Sequence, residues 1–404
     1  MTTVTNHTAA STPTHGAERI DVLDAVRGAA LLGILLINII PLSGLLFDHP
    51  PQLQRTHEPT YFLLMFLVAG KFYSLFSFLF GVGFAVFVSR ASARGADARR
   101  LFKRRLTGLL IIGIVHTLFI WMGDILATYA LIGFALIPFL GRDDRTVLTW
   151  AGAMLFVPIP LYALLVGLAS LSGAPPAPAV ADAPPPILQD ALNAFAGGSY
   201  ADIVRANAIF TLAGAARRFI LMFFPRVFGM FLLGFYAGRR NLFADPAAHA
   251  PLLRRVFLCG MVIGLPFAFW GALLDGRALG FPTPGGLYET AVKTVGVPTL
   301  ALGYAAGFCL LFQRLPWLRH AFAPAGQLAL TNYISHSVAA LIIFYGIGFG
   351  LFGRVPLVVG VVGAFAFFAL QAFASRVWLR YAAFGPCEWA WRMFTYRTWV
   401  SWSR

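Results

Sequence analysis

The sequence predicts an all-α membrane protein: a polytopic bundle of about ten transmembrane helices with both termini in the cytoplasm. Two observations lead there. Ten apolar stretches fill most of the 404 residues, at 21–46, 60–89, 101–121, 124–141, 146–170, 219–238, 252–274, 288–313, 326–350 and 355–380. A hydrocarbon layer about 30 Å thick takes roughly 20 apolar residues per helical crossing. The second observation is where the charge falls. Of 31 Lys and Arg, 22 lie in the N-terminal region, in the loop carrying Arg90 to Arg105, at Arg142/Arg145, at Arg239/Arg240/Arg254/Arg255, at Arg314/Arg319 and in the C-terminal region. These are alternate loops, and basic loops resist translocation, so they mark the cytoplasmic face of a bacterial inner membrane. The same bias accounts for most of the net charge of +15, which therefore calls for no nucleic-acid partner.

In chain order, residues 1–18 lack an apolar core and read as a disordered cytoplasmic tail rather than a cleaved signal peptide. Residues 19–170 form a first five-helix half. Its second span is long enough to be tilted or broken near Gly70 and Lys71. Residues 171–218 form an outer segment. It opens with an Ala/Pro-rich run at 174–186, where proline removes donors and fixes φ, and continues with surface helices closed by Arg217 and Arg218. Residues 219–404 form a second five-helix half with a C-terminal interfacial helix, in which Trp and Arg suit the head-group layer. No internal repeat is visible, which weighs against a transporter. Cys259, Cys309 and Cys387 are scattered without a CxxC spacing, so neither a metal site nor a disulfide framework is expected.

Polar residues inside the spans carry the functional information, because each is costly in hydrocarbon unless paired or wet. In the first span Asp24 and Arg27 are three apart and share a helix face. Asn38 follows Arg27 by eleven residues, about three turns deeper on that face. His116 lies near the outer end of the third span, and Asp124 opens the fourth just after Trp121 and Gly123. A carboxylate bonded to one ring nitrogen fixes the tautomer and supports the imidazolium that general-base work creates. Two plainer readings stand beside this: a helix cap for Asp124 and a packing role for His116. Lys71, Arg226, Glu289 and Lys293 are placed to line an outer cavity for an anionic or sugar acceptor, whereas Arg217 and Arg218 read more readily as side chains that snorkel to the head groups. Asn332 and His336 share one face of the ninth span. Glu388 and Arg392 are an i,i+4 pair on the C-terminal helix.

Five blocks resemble, in order, the YeiB family, a bacterial membrane family filed among domains of unknown function (four-eighteen). They are Leu23 to Gly28 with Gly33 to Asn38; Lys71 to Gly81; Arg105 and Leu106 through His116 to Trp121, Gly123, Asp124 and Tyr129; Leu330 to Tyr333; and Gly385 to Arg392. The resemblance covers residues 19–397. It implies a relationship to the transmembrane acyltransferase superfamily, whose members share a ten-helix core and carry acyl groups from cytosolic acyl-CoA to an acceptor across the membrane. In its O-acyltransferase members an Arg is followed eleven residues later by a catalytic His. Arg27 matches the first place, but Asn38 holds the second, and an amide is no general base near neutral pH. The N-acetyltransferase type has Asn there and uses a His in its first outer loop, where this chain has His49 and His57. His336 stands where the family motif has Gln.

The function expected on these grounds is acyl transfer. The catalytic residues would be His116 and Asp124, with His49 or His57 as the alternative base. Donor and acceptor would be held by Arg27, Asn38, Lys71, Arg226 and Asn332, with Arg104, Arg105, Arg254 and Arg255 completing a basic inner rim. No bound cofactor is expected; acyl-CoA would be the donor substrate. The partners are the bilayer and a small-molecule substrate, and the oligomeric state is open. Transport or flipping of an amphipathic solute, or a non-catalytic membrane role, remain the alternatives.

Overall fold

A computed structural model describes residues 20–45, 58–172, 186–212, 215–275 and 282–403, without the side chains of 186–188, 212 and 215–222. His49, His57, the N-terminal tail, most of the Ala/Pro-rich run and the side chains of Arg217 and Arg218 lie outside the described residues. Among those described, all regular structure is helical: α1 (Asp21–Leu42), α2 (Pro59–Leu63), α3 (Lys71–Ala93), α4 (Ala98–Phe119), α5 (Leu126–Phe134), α6 (Asp144–Phe156), α7 (Pro158–Leu171), α8 (Pro186–Gly197), α9 (Tyr200–Leu212), α10 (Ala215–Arg239), α11 (Ala250–Leu273), α12 (Pro284–Arg314), α13 (Pro316–Gln327), α14 (Ala329–Ile343), α15 (Leu357–Tyr381) and α16 (Pro386–Tyr396). Among the described residues, six helical runs are long and apolar enough to cross a membrane: α1, Pro59–Ala93, Asp144–Leu171, α11, α12 and α15. The chain is an all-α polytopic membrane bundle.

Four predicted spans take a different form. The second is broken as expected: a π-helical turn at Leu64–Val68 gives way to Gly70 at φ +82°, a value that favours glycine, and α3 restarts at Lys71. The fourth, expected over 124–141, is a nine-residue helix followed by the 3₁₀ turn Ile137–Phe139. Pro138 cannot continue α5, because it lacks a donor and its ring opposes the carbonyl four residues back. The fifth bends where α6 meets Pro158 at the start of α7. The ninth, expected over 326–350, is reduced to the 15-residue α14, set off at Leu328 from α13, which ends at Gln327.

Without a hydrophobic force between helices, packing in a membrane relies on small residues that let backbones approach. Three pairs use this device. A Cβ on Gly81 of α3 would meet the Phe231 carbonyl of α10, and one on Gly234 of α10 would meet the Phe78 carbonyl of α3. Gly28 of α1 and Gly326 of α13 abut in the same way, as do Gly260 of α11 and Gly303 of α12. Helix α1 sits at the centre against α3, α12, α13, α14 and α15, with Ala25, Val26, Ala30 and Leu31 fully buried.

Cross-helix bonds group the helix ends into two faces. On the basic face, Asp144 at the start of α6 pairs with Arg239 (3.2 Å) and Arg240 (2.6 Å) at the end of α10, and the Trp391 indole of α16 donates to the Arg105 carbonyl (2.7 Å). On the other, Gly353 N–H donates to the Ser43 carbonyl (2.7 Å), and Lys293 bridges Asp275 and Glu289 at 2.6 Å each. Helices α8 and α9 lie on this second face: Tyr200 donates to the Phe119 carbonyl (2.8 Å) and Asn207 to that of Leu118 (3.3 Å).

This grouping predicts a labelling pattern. In a variant with Cys259, Cys309 and Cys387 replaced by Ala, Ser172→Cys reacts with an impermeant maleimide added to intact cells. Ala96→Cys, between α3 and α4, reacts only after permeabilisation. The reverse pattern would invert the assigned faces.

Candidate functional site

The polar residues of the bundle fall into three groups along α3, α4 and α12. The first joins the end of α4 to the start of α5. His116 Nδ1 lies 2.9 Å from Asp124 Oδ1, and both side chains are 1% exposed. The other carboxylate oxygen of Asp124 accepts from Ala127 N–H at 2.7 Å. The carboxylate therefore does both things read from the sequence: one oxygen orients the imidazole and the other caps α5. Gly113 makes this geometry possible, because a Cβ there would strike the Ala127 backbone. With Asp124 ionised, Nδ1 carries the proton, and Nε2 is the nitrogen with a lone pair. Among the described residues, Nε2 has no hydrogen-bond partner. The Tyr333 ring lies beside the imidazole, centroid to centroid 5.4 Å, and the Tyr333 hydroxyl accepts from Ile125 N–H at 3.3 Å.

The second group lines a cavity of about 290 Å³ that opens toward the basic face. Arg27, Arg90, Arg94, Arg105 and Arg392 surround it, against two carboxylates, Asp24 and Glu388. Its walls are the aromatic stripe Phe76, Phe80, Phe84 and Phe87 of α3, and its deep end is formed by Ile125, Leu126, Tyr129 and Tyr333. Arg27 pairs with Asp24 at 2.7 Å, as their spacing predicts. The Arg105 guanidinium lies over the Trp391 ring (3.8 Å to the centroid) and beside Phe87 (5.4 Å), held by aromatic faces. Glu388 accepts from Leu330 N–H (2.7 Å), Thr331 N–H (3.1 Å) and the Thr331 hydroxyl, so α16 caps the first turn of α14. Burial pushes the Glu388 carboxyl up from its ordinary value, against the downward pull of these hydrogen bonds.

The third group lines a cavity of about 200 Å³ toward the opposite face, walled by Met65, Gly70, Lys71, Tyr73, Arg226, Gly271, Asp275, Lys293 and Gly296 among others. Lys71, only 2% exposed, donates to the Met65 carbonyl at 2.7 Å. Arg226 Nη1 donates to the Tyr73 hydroxyl at 2.9 Å. Asp275 accepts from Lys293 and from the Tyr61 hydroxyl (2.8 Å). The two cavities are nearly back to back. Tyr73 faces the outer one and Phe76 the inner one, only about 4.5 Å apart along the α3 axis. Between them, the Tyr129 hydroxyl lies 2.6 Å from Ser77 Oγ and 2.8 Å from the Tyr73 carbonyl.

The residues singled out by sequence separate accordingly. Arg27 reaches the inner cavity, Lys71 and Arg226 the outer one, and His116 with Asp124 the wall behind Tyr333. Asn38 lines neither cavity. Asn332 is committed to packing: its amide donates to the Ala325 carbonyl and Ser375 Oγ, at 3.0 Å each. Its backbone carbonyl accepts from Gln371 Nε2 at 3.1 Å, and Gln371 Oε1 in turn meets His336 Nε2 at 2.8 Å. Of the expected basic rim, Arg105 lines the cavity, whereas Arg104, Arg254 and Arg255 do not. Arg90 and Arg94 were read only as topology signals, and Arg392 as the i,i+4 partner of Glu388, yet all three line the cavity, and Tyr333 joins it to the His116 pair.

The fold and cavities define a class, a polytopic α-helical membrane protein with a cationic chamber on each side of a thin aromatic partition. Residues 237–398 match the family described as "Protein of unknown function (DUF418)". The chain is 32% identical to the uncharacterized protein YxaH of Bacillus subtilis, over 96% of each chain. It is 31% identical to an uncharacterized 39.9 kDa protein in the amylase 3′ region of Bacillus acidopullulyticus, over 94% of each. Its identity to the uncharacterized protein YeiB of Escherichia coli is 30%, over 94% of this chain and 97% of that one. The chain belongs to this YeiB-like DUF418 family.

The double role of Asp124 predicts unequal effects on folding. Asp124→Ala removes the cap and costs about 1–2 kcal/mol, whereas Asp124→Asn retains a capping oxygen and most of the stability. Thermal unfolding in lipid nanodiscs measures both, and equal midpoints for the two variants would show that the cap contributes nothing.

Proposed function

We propose that this protein transfers an acyl group from cytosolic acyl-CoA to a small or cell-envelope acceptor. The observation that carries the reading is the arginine-lined inner cavity, whose deep wall touches the His116 and Asp124 pair through Tyr333. Five arginines against two carboxylates suit a polyanionic nucleotide tail, since a cleft of one sign with low-dielectric walls concentrates its counter-ion. The phenylalanine stripe of α3 suits an acyl chain or pantetheine arm.

The chemistry follows from the free ring nitrogen. An acceptor hydroxyl or amine attacks the thioester carbonyl carbon while His116 Nε2 takes its proton, and Asp124 stabilises the imidazolium. Collapse of the tetrahedral intermediate breaks the C–S bond. The imidazolium then returns the proton to the departing thiolate, leaving the acylated acceptor and free CoA. His116 does not line the inner cavity, so this reading requires the Tyr333 ring to move aside when the donor is bound.

One observation favours a second reading. Two cationic cavities on opposite faces, parted by Tyr73, Ser77 and Tyr129, also suit alternating exposure of an anionic solute, which is transport without chemistry.

The test uses purified protein in lipid nanodiscs. Acyl transfer predicts CoA binding that weakens with salt, because exposed rim charges are screened. Arg27→Ala should weaken it by about tenfold or more, the scale of one charge-assisted contact. Absence of CoA binding, together with saturable solute flux in liposomes, would replace acyl transfer with transport.

A further inference from the structure

We propose that the outer cavity is a binding site for a small oxyanion, a carboxylate or phosphate group, held between Lys71 and Arg226. The charges are out of balance there. Lys293 has two carboxylates, Asp275 and Glu289, at 2.6 Å each. Lys71 and Arg226 have none within ion-pair distance among the described residues. Three basic side chains face two carboxylates, so with Lys71 protonated one positive charge is uncompensated. Hydrocarbon surroundings make that costly unless an anion or water completes the site.

The remaining donors point the same way. Lys71 spends one of its three N–H donors on the Met65 carbonyl. Arg226 spends one on Tyr73, and its Nε is buried without a partner. An oxyanion accepting from the free donors of both residues satisfies the two groups at once, and guanidinium geometry suits it. The cavity of about 200 Å³ accommodates such a group. Asp275 and Lys293, which also line the cavity, offer an acceptor and a donor to neutral hydroxyls carried by the same ligand.

This site rests on the acyl-transfer reading only for its role as the acceptor pocket; oxyanion binding itself does not. The probe is inorganic phosphate, titrated calorimetrically into full-length protein in phosphatidylcholine nanodiscs. A parallel arm uses phosphatidylglycerol nanodiscs and native mass spectrometry to detect a retained anionic lipid. Saturable phosphate binding that drops at least tenfold in Lys71→Met and in Arg226→Met supports the site. Arg226→Lys, which keeps the charge, should stay within about threefold of wild type. Phosphatidylglycerol retained by wild type and lost from Lys71→Met supports the same site with a lipid head group as its source. Wild type that neither binds phosphate nor retains lipid overturns the proposal, and so do variants that bind like wild type at unchanged thermal midpoints. CoA binding is measured on the same samples: its loss with phosphate binding intact defeats acyl transfer alone.

Discussion

An ionisable side chain inside a bilayer has to be paired, coordinated or wet, and the arrangement of this bundle follows from how each one meets that demand. His116 is paired with Asp124, Arg27 with Asp24, and Lys293 with Asp275 and Glu289. Arg105 is held against Trp391 and Phe87 at the cavity mouth. Lys71 is tied to a carbonyl of the π-helical turn that precedes it. What is left over is directed into two cavities rather than into lipid. The cationic surplus of each cavity is therefore a property of the packing, and it defines what each can accept.

Helix α3 links these features. Its start depends on Gly70 at φ +82°, which turns the chain so that Lys71 is buried at the outer cavity. Its middle carries the Tyr73–Ser77 partition and the phenylalanine stripe, and its last turns bring Arg90 and Arg94 to the inner cavity. Gly81 holds it in backbone contact with α10, which carries Arg226. A shift of α3 against α10 would therefore alter both cavities together.

The all-helical membrane class, the break at Gly70, the Asp24–Arg27 pair and the approach of His116 to Asp124 were legible in the sequence because each is local: a run length, a glycine, a spacing of three, a short reversal after Trp121. The shortening of α5 was not, since 124–141 is apolar throughout and Pro138 acts by geometry rather than hydropathy. The split at Leu328 was hidden for a related reason: the cap on α14 comes from Glu388, fifty-eight positions away. Arg90 and Arg94 carried two messages, and the topological one masked the cavity. Asn332 illustrates the converse. A polar residue in a span suggested a ligand, but its side-chain amide is taken up by the nearby Ala325 carbonyl and by Ser375 of the distant α15.

The central claim is that the inner cavity delivers an acyl thioester to the His116 and Asp124 pair. A structure by electron cryomicroscopy with a non-hydrolysable acyl-CoA analogue tests it most directly. The account predicts phosphate density beside Arg27 and Arg105, an acyl arm along Phe76, Phe80 and Phe84, and the carbonyl carbon at the Tyr333 wall within reach of His116. An empty inner cavity at saturating analogue, or an analogue bound with its thioester away from Tyr333, would contradict it.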